Sequence, residues 1–325
     1  MKTLAFFNPK SKVGKSTLVY HIAWMLSDLG KTVLVVDLDP QTNLTKMFLR
    51  EDQLEEIWPY NKLHKSIFSS ITPILETTGN IEPPQLHKIN HNIHLIPGDL
   101  GLMQLEDKLS DCWLQSLDNN QTAFNAICAF YHIIYHAAKE TDSEFALIDS
   151  GPNLGTINRS ALIASDYVLM PLAPNFDSLQ SLEYFGRSLK KWHQGWKHRI
   201  AQKKLTNYLP ADRMTPLGYI IMQHDEGKYR PENVYQQWSE KIPDTYKKYI
   251  LCNKGSIEFE NISSHCIGQV RCYHFLMPMA KEAKKPIFYL KPADGAIGSH
   301  SQSVWKCYLD FKKHTETILK KISKE

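Results

Sequence analysis

Residues 3–17 read TLAFFNPKSKVGKST, and this stretch largely determines the fold that the chain can adopt. Its apolar start stops at Asn8-Pro9, which predicts a short buried strand followed by a loop. A helical pattern then begins at Ser16 and ends before Gly30, a residue type common just past a helix end. The run 32–36 is rich in β-branched residues and predicts a second strand. A strand, a helix and a strand in this order form a βαβ unit, which implies a parallel sheet.

The same alternation continues along most of the chain. Further apolar runs predict strands at 93–96, 145–148, 167–172 and 217–222, and residues 125–140 show a helical pattern. Repeated strand–helix alternation predicts an α/β fold with a doubly wound, mostly parallel sheet and helices on both faces. We expect one domain over residues 1–325, with an insertion of helices and loops at about 50–92 and a C-terminal helix at about 303–323.

Composition excludes few classes of protein. A hydrophobic content of 42% with 22% charged residues is typical of a globular chain, and the net charge of +4 is mild. The six cysteines are scattered through the chain, a pattern that indicates reduced thiols rather than a disulfide framework. No apolar stretch approaches the roughly 20 residues that a membrane span needs. We therefore expect a cytoplasmic protein.

The loop after the first predicted strand carries a phosphate-binding pattern. Gly14-Lys15-Ser16 matches the end of a Walker A loop, and it lies between a strand and a helix, as that motif requires. Gly14 allows the backbone N–H groups to face phosphate oxygens, and the following helix adds its positive dipole end. Lys15 would neutralise the β- and γ-phosphates, and the Ser16 hydroxyl suits Mg²⁺. The alternative is a chance occurrence, because Pro9 stands where the usual first glycine would be.

Acidic residues follow two of the predicted strands. Asp37 and Asp39 come directly after the second strand, and Asp149 ends the strand that begins at Phe145. The carboxyl ends of neighbouring parallel strands are where such sheets bind ligands. One of the first two carboxylates can hold the water shell of a metal, and the other can orient or deprotonate an attacking water. Asp149 is in the position of a Walker B residue bound to Mg²⁺ through water, although many buried strands end in Asp.

Taken together, these motifs resemble the ParA/MinD family of deviant Walker P-loop ATPases. Residues 9–17 resemble its signature loop, residues 37–43 (DLDPQTN) its D-x-D-P-Q-x-N segment, and residues 149–155 (DSGPNLG) its D-[TS]-x-P-x-x-G segment. The resemblance extends over about residues 1–48, 93–240 and 275–320. It implies that Lys10 reaches into the nucleotide site of a partner subunit and that Asp39 positions the hydrolytic water.

From the motifs and this resemblance we expect ATP and Mg²⁺ as cofactors. The expected nucleotide-binding residues are Lys10, Ser11, Lys12, Val13, Gly14, Lys15, Ser16 and Thr17. The expected metal-binding residues are Ser16, Asp37 and Asp149, and the expected catalytic residues are Asp39, Lys10 and Lys15. The chain departs from the family pattern at Ser11-Lys12, where the family has two glycines. Glycine supplies backbone angles that other residues resist, so we expect slow, partner-stimulated hydrolysis, and a non-hydrolysing ATP sensor or adaptor is an alternative.

The resemblance also implies partners: an ATP-dependent homodimer, non-specific DNA and a ParB-like activating protein, with a nucleoid-associated location left open. A basic stretch interleaved with Trp192 and Trp196 suits contacts with the DNA backbone, although it is equally compatible with a solvated helix face. That stretch contains Arg187, Lys190, Lys191, Lys197, Arg199, Lys203 and Lys204. The C-terminal helix would bind a membrane in a MinD-like protein. A last helix packed against the sheet is favoured, so a membrane partner is not expected.

Overall fold

An eight-stranded, mostly parallel sheet forms the centre of the protein. The computed structural model describes residues 1–75, 81–118, 120–202, 209–211, 213–222, 232–251, 265–273 and 275–324. The strands are β1 (Lys2–Phe6), β2 (Val33–Asp37), β3 (His87–Lys88), β4 (Ile93–Ile96), β5 (Phe145–Asp149), β6 (Tyr167–Leu172), β7 (Thr215–Met222) and β8 (Cys266–Val270). Their order across the sheet is β3-β4-β2-β5-β1-β6-β7-β8. Every neighbouring pair is parallel except β3 and β4, which confirms the predicted fold class.

Helices cover both faces of this sheet. Within the described residues they are α1 (Lys15–Asp28), α2 (Asn43–Phe48), α3 (Glu51–Ile57), α4 (Ile67–Leu75), α5 (Leu105–Gln115), α6 (Gln121–Ile127), α7 (Ala129–Glu140), α8 (Thr156–Ile163), α9 (Phe176–Ala201), α10 (Glu232–Tyr246), α11 (Leu276–Ala283) and α12 (Ser299–Lys324). Successive strand residues face opposite sides, so Leu4 and Phe6 join one core cluster while Ala5 and Phe7 join the other. The central strands are largely apolar because both of their sides are buried.

Apart from shifts at the ends of elements, the structure differs from the sequence prediction in three places. The helix predicted at 125–140 is two helices, α6 and α7, which meet at Cys128. Strand β3 lies in the region that we expected to contain only helices and loops. Strand β8 was not predicted either. Both missed strands lie at the edges of the sheet, where a strand is less fully buried than at the centre. Strand β3 has only two residues, and β8 contains a glycine and a glutamine, so neither shows a clear strand pattern in the sequence.

The C-terminal helix α12 packs against the body of the protein. Its buried side includes Cys307, Phe311, Ile318 and Ile322, and the Phe311 ring stacks on His21 of α1 with ring centroids 4.8 Å apart. This side of α12 is therefore covered by the protein itself. Within the described part of the chain, no helix combines the length and the apolar character needed to cross a membrane.

The sheet order places the predicted site residues on adjacent strands. Strand β5 lies between β2 and β1, and the register pairs Asp37 with Asp149 and Phe6 with Asp149. The carboxyl ends of these three strands therefore meet at one edge of the sheet. Helix α1 begins beside that edge, at the end of the loop that follows β1.

Candidate nucleotide site

The loop between β1 and α1 is held in a curled shape. The Asn8 side chain donates to the Pro171 carbonyl at 2.7 Å, and the Lys10 N–H donates back to the Asn8 side chain at 2.8 Å. Two residues have left-handed backbone angles: Gly14 with φ 83° and Lys12 with φ 63°. A non-glycine residue in this conformation costs about 1–2 kcal/mol. Lys12 thus adopts a backbone conformation that glycine would adopt more easily. The loop is therefore still curled, although Ser11-Lys12 replaces the two glycines of the family pattern.

Lys15 lies at the centre of the site. It is buried as the first residue of α1, and its Nζ lies 2.5 Å from Asp149 Oδ1 and 3.9 Å from Asp39 Oδ2. A buried ammonium requires such partners because desolvation would otherwise favour its neutral form. The lysine therefore connects the loop after β1 to the acidic residues after β2 and β5.

Asp37 is fully buried and is held by hydrogen bonds from the protein. Its Oδ2 accepts from the Thr45 N–H at 2.9 Å and from the Thr45 hydroxyl at 2.7 Å, and its Oδ1 accepts from the Asp39 N–H at 3.2 Å. Burial, followed by the charge of Asp149, raises the pKa of Asp37 from 3.8 to about 7. Burial also raises the pKa of Asp39, although the charge of Lys15 opposes that change.

The acidic edge is suited to a divalent cation. Among the described residues, Asp149 Oδ2 is buried and accepts no hydrogen bond, so one carboxylate oxygen remains available for a ligand. Lys15 is the only cation within 4 Å of Asp39 and Asp149 in the part of the chain that the structure describes. No three His, Cys, Asp or Glu side chains of that part converge as a complete protein metal site would require. Mg²⁺ usually keeps water and phosphate oxygens in its shell, so it needs only one or two protein oxygen ligands.

A cavity of about 480 Å³ opens above this edge. All eight residues predicted to bind the nucleotide line it, together with Asp39. Asp37 and Asp149 do not line it, but Asp149 contacts the lining residue Lys15. Lysines dominate the charge of the wall: Lys10, Lys12, Lys15, Lys46, Lys281, Lys284 and Lys285. A concave site with this charge and a curled backbone loop can bind a polyphosphate.

Lys10 lines the cavity and also contacts helix α9. Its ammonium forms an ion pair with Asp177 in the first turn of α9, and both side chains remain partly exposed. The structure therefore brings Lys15, Ser16, Asp37, Asp39 and Asp149 together, while the Lys10 ammonium is paired with Asp177.

Sequence reasoning missed several residues of this site. Thr45 holds Asp37 by two hydrogen bonds, and the Asn158 side chain bonds to both the N–H and the carbonyl of Gly151 in the loop after β5. Lys281 and Lys284 come from the far end of the chain to the mouth of the cavity. The cluster of lysines at 281–285 was the available signal, but no local pattern indicates that α11 lies beside the phosphate loop.

The basic stretch of α9 divides into exposed and buried residues. Arg187, Lys190, Lys191 and Lys197 are exposed. Trp192, Trp196 and Arg199 are buried, so Arg199 must be removed from the predicted basic surface. The Arg199 guanidinium lies 3.7 Å from the Trp113 ring centroid and donates to Ser116 Oγ at 2.7 Å. Lys203 and Lys204, which were predicted to extend this surface, lie outside the described residues.

The fold and the site define a P-loop nucleoside triphosphatase of the doubly wound α/β class. A family model described as an AAA domain matches residues 1–202, which is more than half of the chain. The chain belongs to the ParA/MinD family of P-loop ATPases, as its motifs predicted.

Individual relatives are distant but span most of the chain. An uncharacterized protein of Methanocaldococcus jannaschii is 25% identical over 75% of this chain and 82% of its own length. The sporulation initiation inhibitor protein Soj of Bacillus subtilis is 26% identical over 72% of this chain and 82% of its own. A solved ATP complex of a Cyanothece McdA variant is 16% identical and superimposes with a TM-score of 0.65, covering 99% of this chain and 96% of that one. Several other curated relatives are matched over only about half of their own length.

Proposed function

We propose that this chain is a Mg²⁺-dependent ATPase that works as a dimeric switch of ParA type in DNA partitioning. The observation that carries the proposal is the position of Lys15, which contacts Asp149 and Asp39 and lines a lysine-rich cavity. Charges arranged in this way can bind the β- and γ-phosphates and the cation that accompanies them. The McdA relative was solved with ATP, which supports ATP as the nucleotide.

The roles of the site residues follow from their positions. Lys15 would bind the terminal phosphates, and the loop of residues 10–17 would surround them with backbone N–H groups. Ser16 and Asp149 would hold Mg²⁺, with Asp37 behind them, and Mg²⁺ would neutralise charge on the phosphates. Asp39 lies in the cavity wall, where its carboxylate can orient a water against the γ-phosphate.

The test of nucleotide binding is the Lys15→Ala variant. We expect it to abolish ATP binding in calorimetry, because it removes the charge that faces the phosphates. Lys31→Ala is the matched control, since Lys31 pairs with Glu144 at the surface and lines no part of the cavity. Equal ATP affinity in Lys15→Ala and the wild type would contradict the phosphate-binding role of the loop.

DNA binding is proposed for the exposed basic surface of α9, which consists of Arg187, Lys190, Lys191 and Lys197. These side chains lie on one side of a long helix that the buried Trp192 and Trp196 anchor to the core. Lysine and arginine that face outward from a rigid helix can displace counterions from a phosphate backbone without reading its sequence. In the ATP-bound dimer this surface would be present twice.

The test of this surface is a triple reversal, Lys190→Glu, Lys191→Glu and Lys197→Glu. We expect ATP-dependent binding of random-sequence duplex to be lost while ATP affinity stays unchanged. Where residual binding is measurable, the slope of log affinity against log salt should fall by about 2.7, at about 0.9 for each phosphate contact. The control reverses three exposed lysines of α12: Lys306, Lys313 and Lys320. DNA binding that survives the α9 reversal but not the α12 reversal would place the DNA surface elsewhere.

The proposal includes a cytoplasmic, nucleoid-associated location and a ParB-like protein that stimulates hydrolysis. A wild-type protein that binds ATP but releases no phosphate, even with DNA and its partner, would favour the alternative of a non-hydrolysing ATP sensor.

A further inference from the structure

A continuous chain of contacts connects the buried Asp37 to the helices at the rim of the sheet. The rim segment (residues 51–75) contains α3 and α4 and leads towards the edge strand β3. It carries none of the residues assigned above to phosphate, metal or water. Its contacts nevertheless reach the base of the nucleotide site.

The first part of this chain of contacts is the attachment of the rim segment to the turn after β4. The Ile67 N–H donates to the Pro97 carbonyl at 2.9 Å, and the Ser66 hydroxyl donates to Asp99 Oδ2 at 2.6 Å. His64 Nδ1 lies 2.8 Å from the same Asp99 oxygen. Three contacts within four residues therefore hold this part of the rim segment against residues 97–99.

The second part runs through Gly98. Trp58, which follows α3, donates its indole N–H to the Gly98 carbonyl at 3.2 Å. The Gly98 N–H donates to the Thr45 hydroxyl at 2.9 Å, and that hydroxyl donates to Asp37 Oδ2 at 2.7 Å. A Cβ added at Gly98 would lie 2.9 Å from Asp37 Cγ, so the Gly98 backbone is itself packed against the carboxylate.

Trp58 also contacts the other side of the site. The Lys46 ammonium lies 6.0 Å from the centroid of the Trp58 ring, and it donates to the Gln41 carbonyl at 3.0 Å. Both Lys46 and Gln41 line the cavity. The Trp58 indole therefore contacts both Gly98, which packs against Asp37, and Lys46, which is bonded to Gln41.

We infer that Thr45 and Trp58 are positioning residues for Asp37, and that through them the rim segment sets the geometry of the metal site. The inference rests on the proposed function, in which Asp37 lies behind a bound Mg²⁺. Thr45 holds the Asp37 carboxylate directly, through its N–H and its hydroxyl. Trp58 acts indirectly: its indole holds Gly98, and the Gly98 N–H in turn orients the Thr45 hydroxyl. Hydrogen-bonding groups in the outer shell of a metal site commonly contribute about 10–100-fold to metal affinity.

The test compares Thr45→Val, which keeps the shape of the side chain but loses the hydroxyl, with Thr45→Ser, which keeps the hydroxyl. We expect the Mg²⁺ concentration for half-maximal ATP binding to rise about tenfold in Thr45→Val and to return near the wild-type value in Thr45→Ser. Trp58→Phe should raise it about two- to tenfold, the effect of one lost hydrogen bond. Trp305→Phe, at an exposed site on α12, should leave it unchanged.

A second readout does not depend on activity. Mg²⁺ and ATP should change the tryptophan emission of the wild type, and Trp58→Phe should lose a larger part of that change than Trp305→Phe. Wild-type Mg²⁺ dependence in both Thr45→Val and Trp58→Phe would overturn the inference.

Measurements on the protein without ligands distinguish failure of this inference from failure of the proposed function. If the wild type binds no ATP, the proposed function fails. The coupling between Thr45 and Asp37 is then tested through the free energy of unfolding. A double-mutant cycle of Thr45→Val with Asp37→Asn should show coupling between the two sites in the free energy of unfolding, and additive effects would refute the link. If Thr45→Val does not fold, the same cycle is measured with Trp58→Phe.

Discussion

The substitution Asp37→Asn is expected to stabilise the protein without ligands while impairing the metal site. Asp37 is fully buried beside Asp149, and its pKa is raised to about 7 from 3.8, first by burial and then by the Asp149 charge. The folded chain therefore holds this proton more tightly than the unfolded chain. The free energy of unfolding consequently rises as pH falls from about 7 towards about 4, and the full cost of the buried charge is present above pH 7.

The size of the effect can be worked from the contacts. A shift of about three pKa units corresponds to about 4 kcal/mol of destabilisation above pH 7. Asparagine at this position keeps an oxygen for the two Thr45 donors, but its NH₂ group replaces the Oδ1 that accepts from the Asp39 N–H. That lost hydrogen bond costs about 1–3 kcal/mol. The net expectation at pH 8 is a stabilisation of about 1–3 kcal/mol.

The assay is urea unfolding at pH 5, 6, 7 and 8 in EDTA and at constant ionic strength. Asp37→Asn should be more stable than the wild type at pH 8, and the two should converge as pH falls. It should also require more Mg²⁺ for ATP binding. Asp107→Asn, an exposed position on α5, controls for the loss of a surface charge. A variant less stable than the wild type at pH 8, or one with an unchanged pH dependence, would refute the reasoning.

Three further outcomes are expected. Asp39→Ala should bind ATP but release no phosphate, and it should accumulate as an ATP-bound dimer in sedimentation; unchanged phosphate release would assign the water to another residue. Lys10→Ala should keep monomer ATP affinity but weaken dimerisation with a slowly hydrolysed ATP analogue, whereas normal dimerisation would mean that Lys12 makes the contact across the interface. Phe311→Ala should destabilise the fold by about 3–5 kcal/mol, because it removes a buried ring stacked on His21; a loss near zero in urea unfolding would mean that α12 is not docked.

The strands that could be predicted are those buried on both faces. Strands β4 and β6 have the predicted bounds, and β1, β2, β5 and β7 differ by one or two residues at their ends. Such strands are continuous apolar runs, so their pattern is visible in the sequence. Strands β3 and β8 lie at the edges and show no such run. The break between α6 and α7 was equally invisible, because the residues on both sides of Cys128 favour a helix.

The candidate site was predictable where its residues are close in sequence to a strand end. The phosphate loop, the Asp37–Asp39 pair and Asp149 each follow a recognisable strand, and parallel strands place such ends at one edge. Arg199 shows the limit of this reasoning. It belongs to a basic stretch in the sequence, but its position on the helix directs it to Trp113 and Ser116 in the interior. Charge and composition do not reveal which side of a long helix is buried.

The sequence by itself determined the class of fold, the family and the residues at the base of the site, because each depends on local pattern and spacing. The tertiary structure alone decided which distant groups complete that site. Lys281 of α11 and Lys284, which follows that helix, reach the cavity, and Gly98 meets Thr45 across 53 residues. These contacts depend on how strands are ordered and how helices pack across the sheet. Hydrogen bonds and charges act over a few ångströms in space, whatever the separation of the residues along the chain.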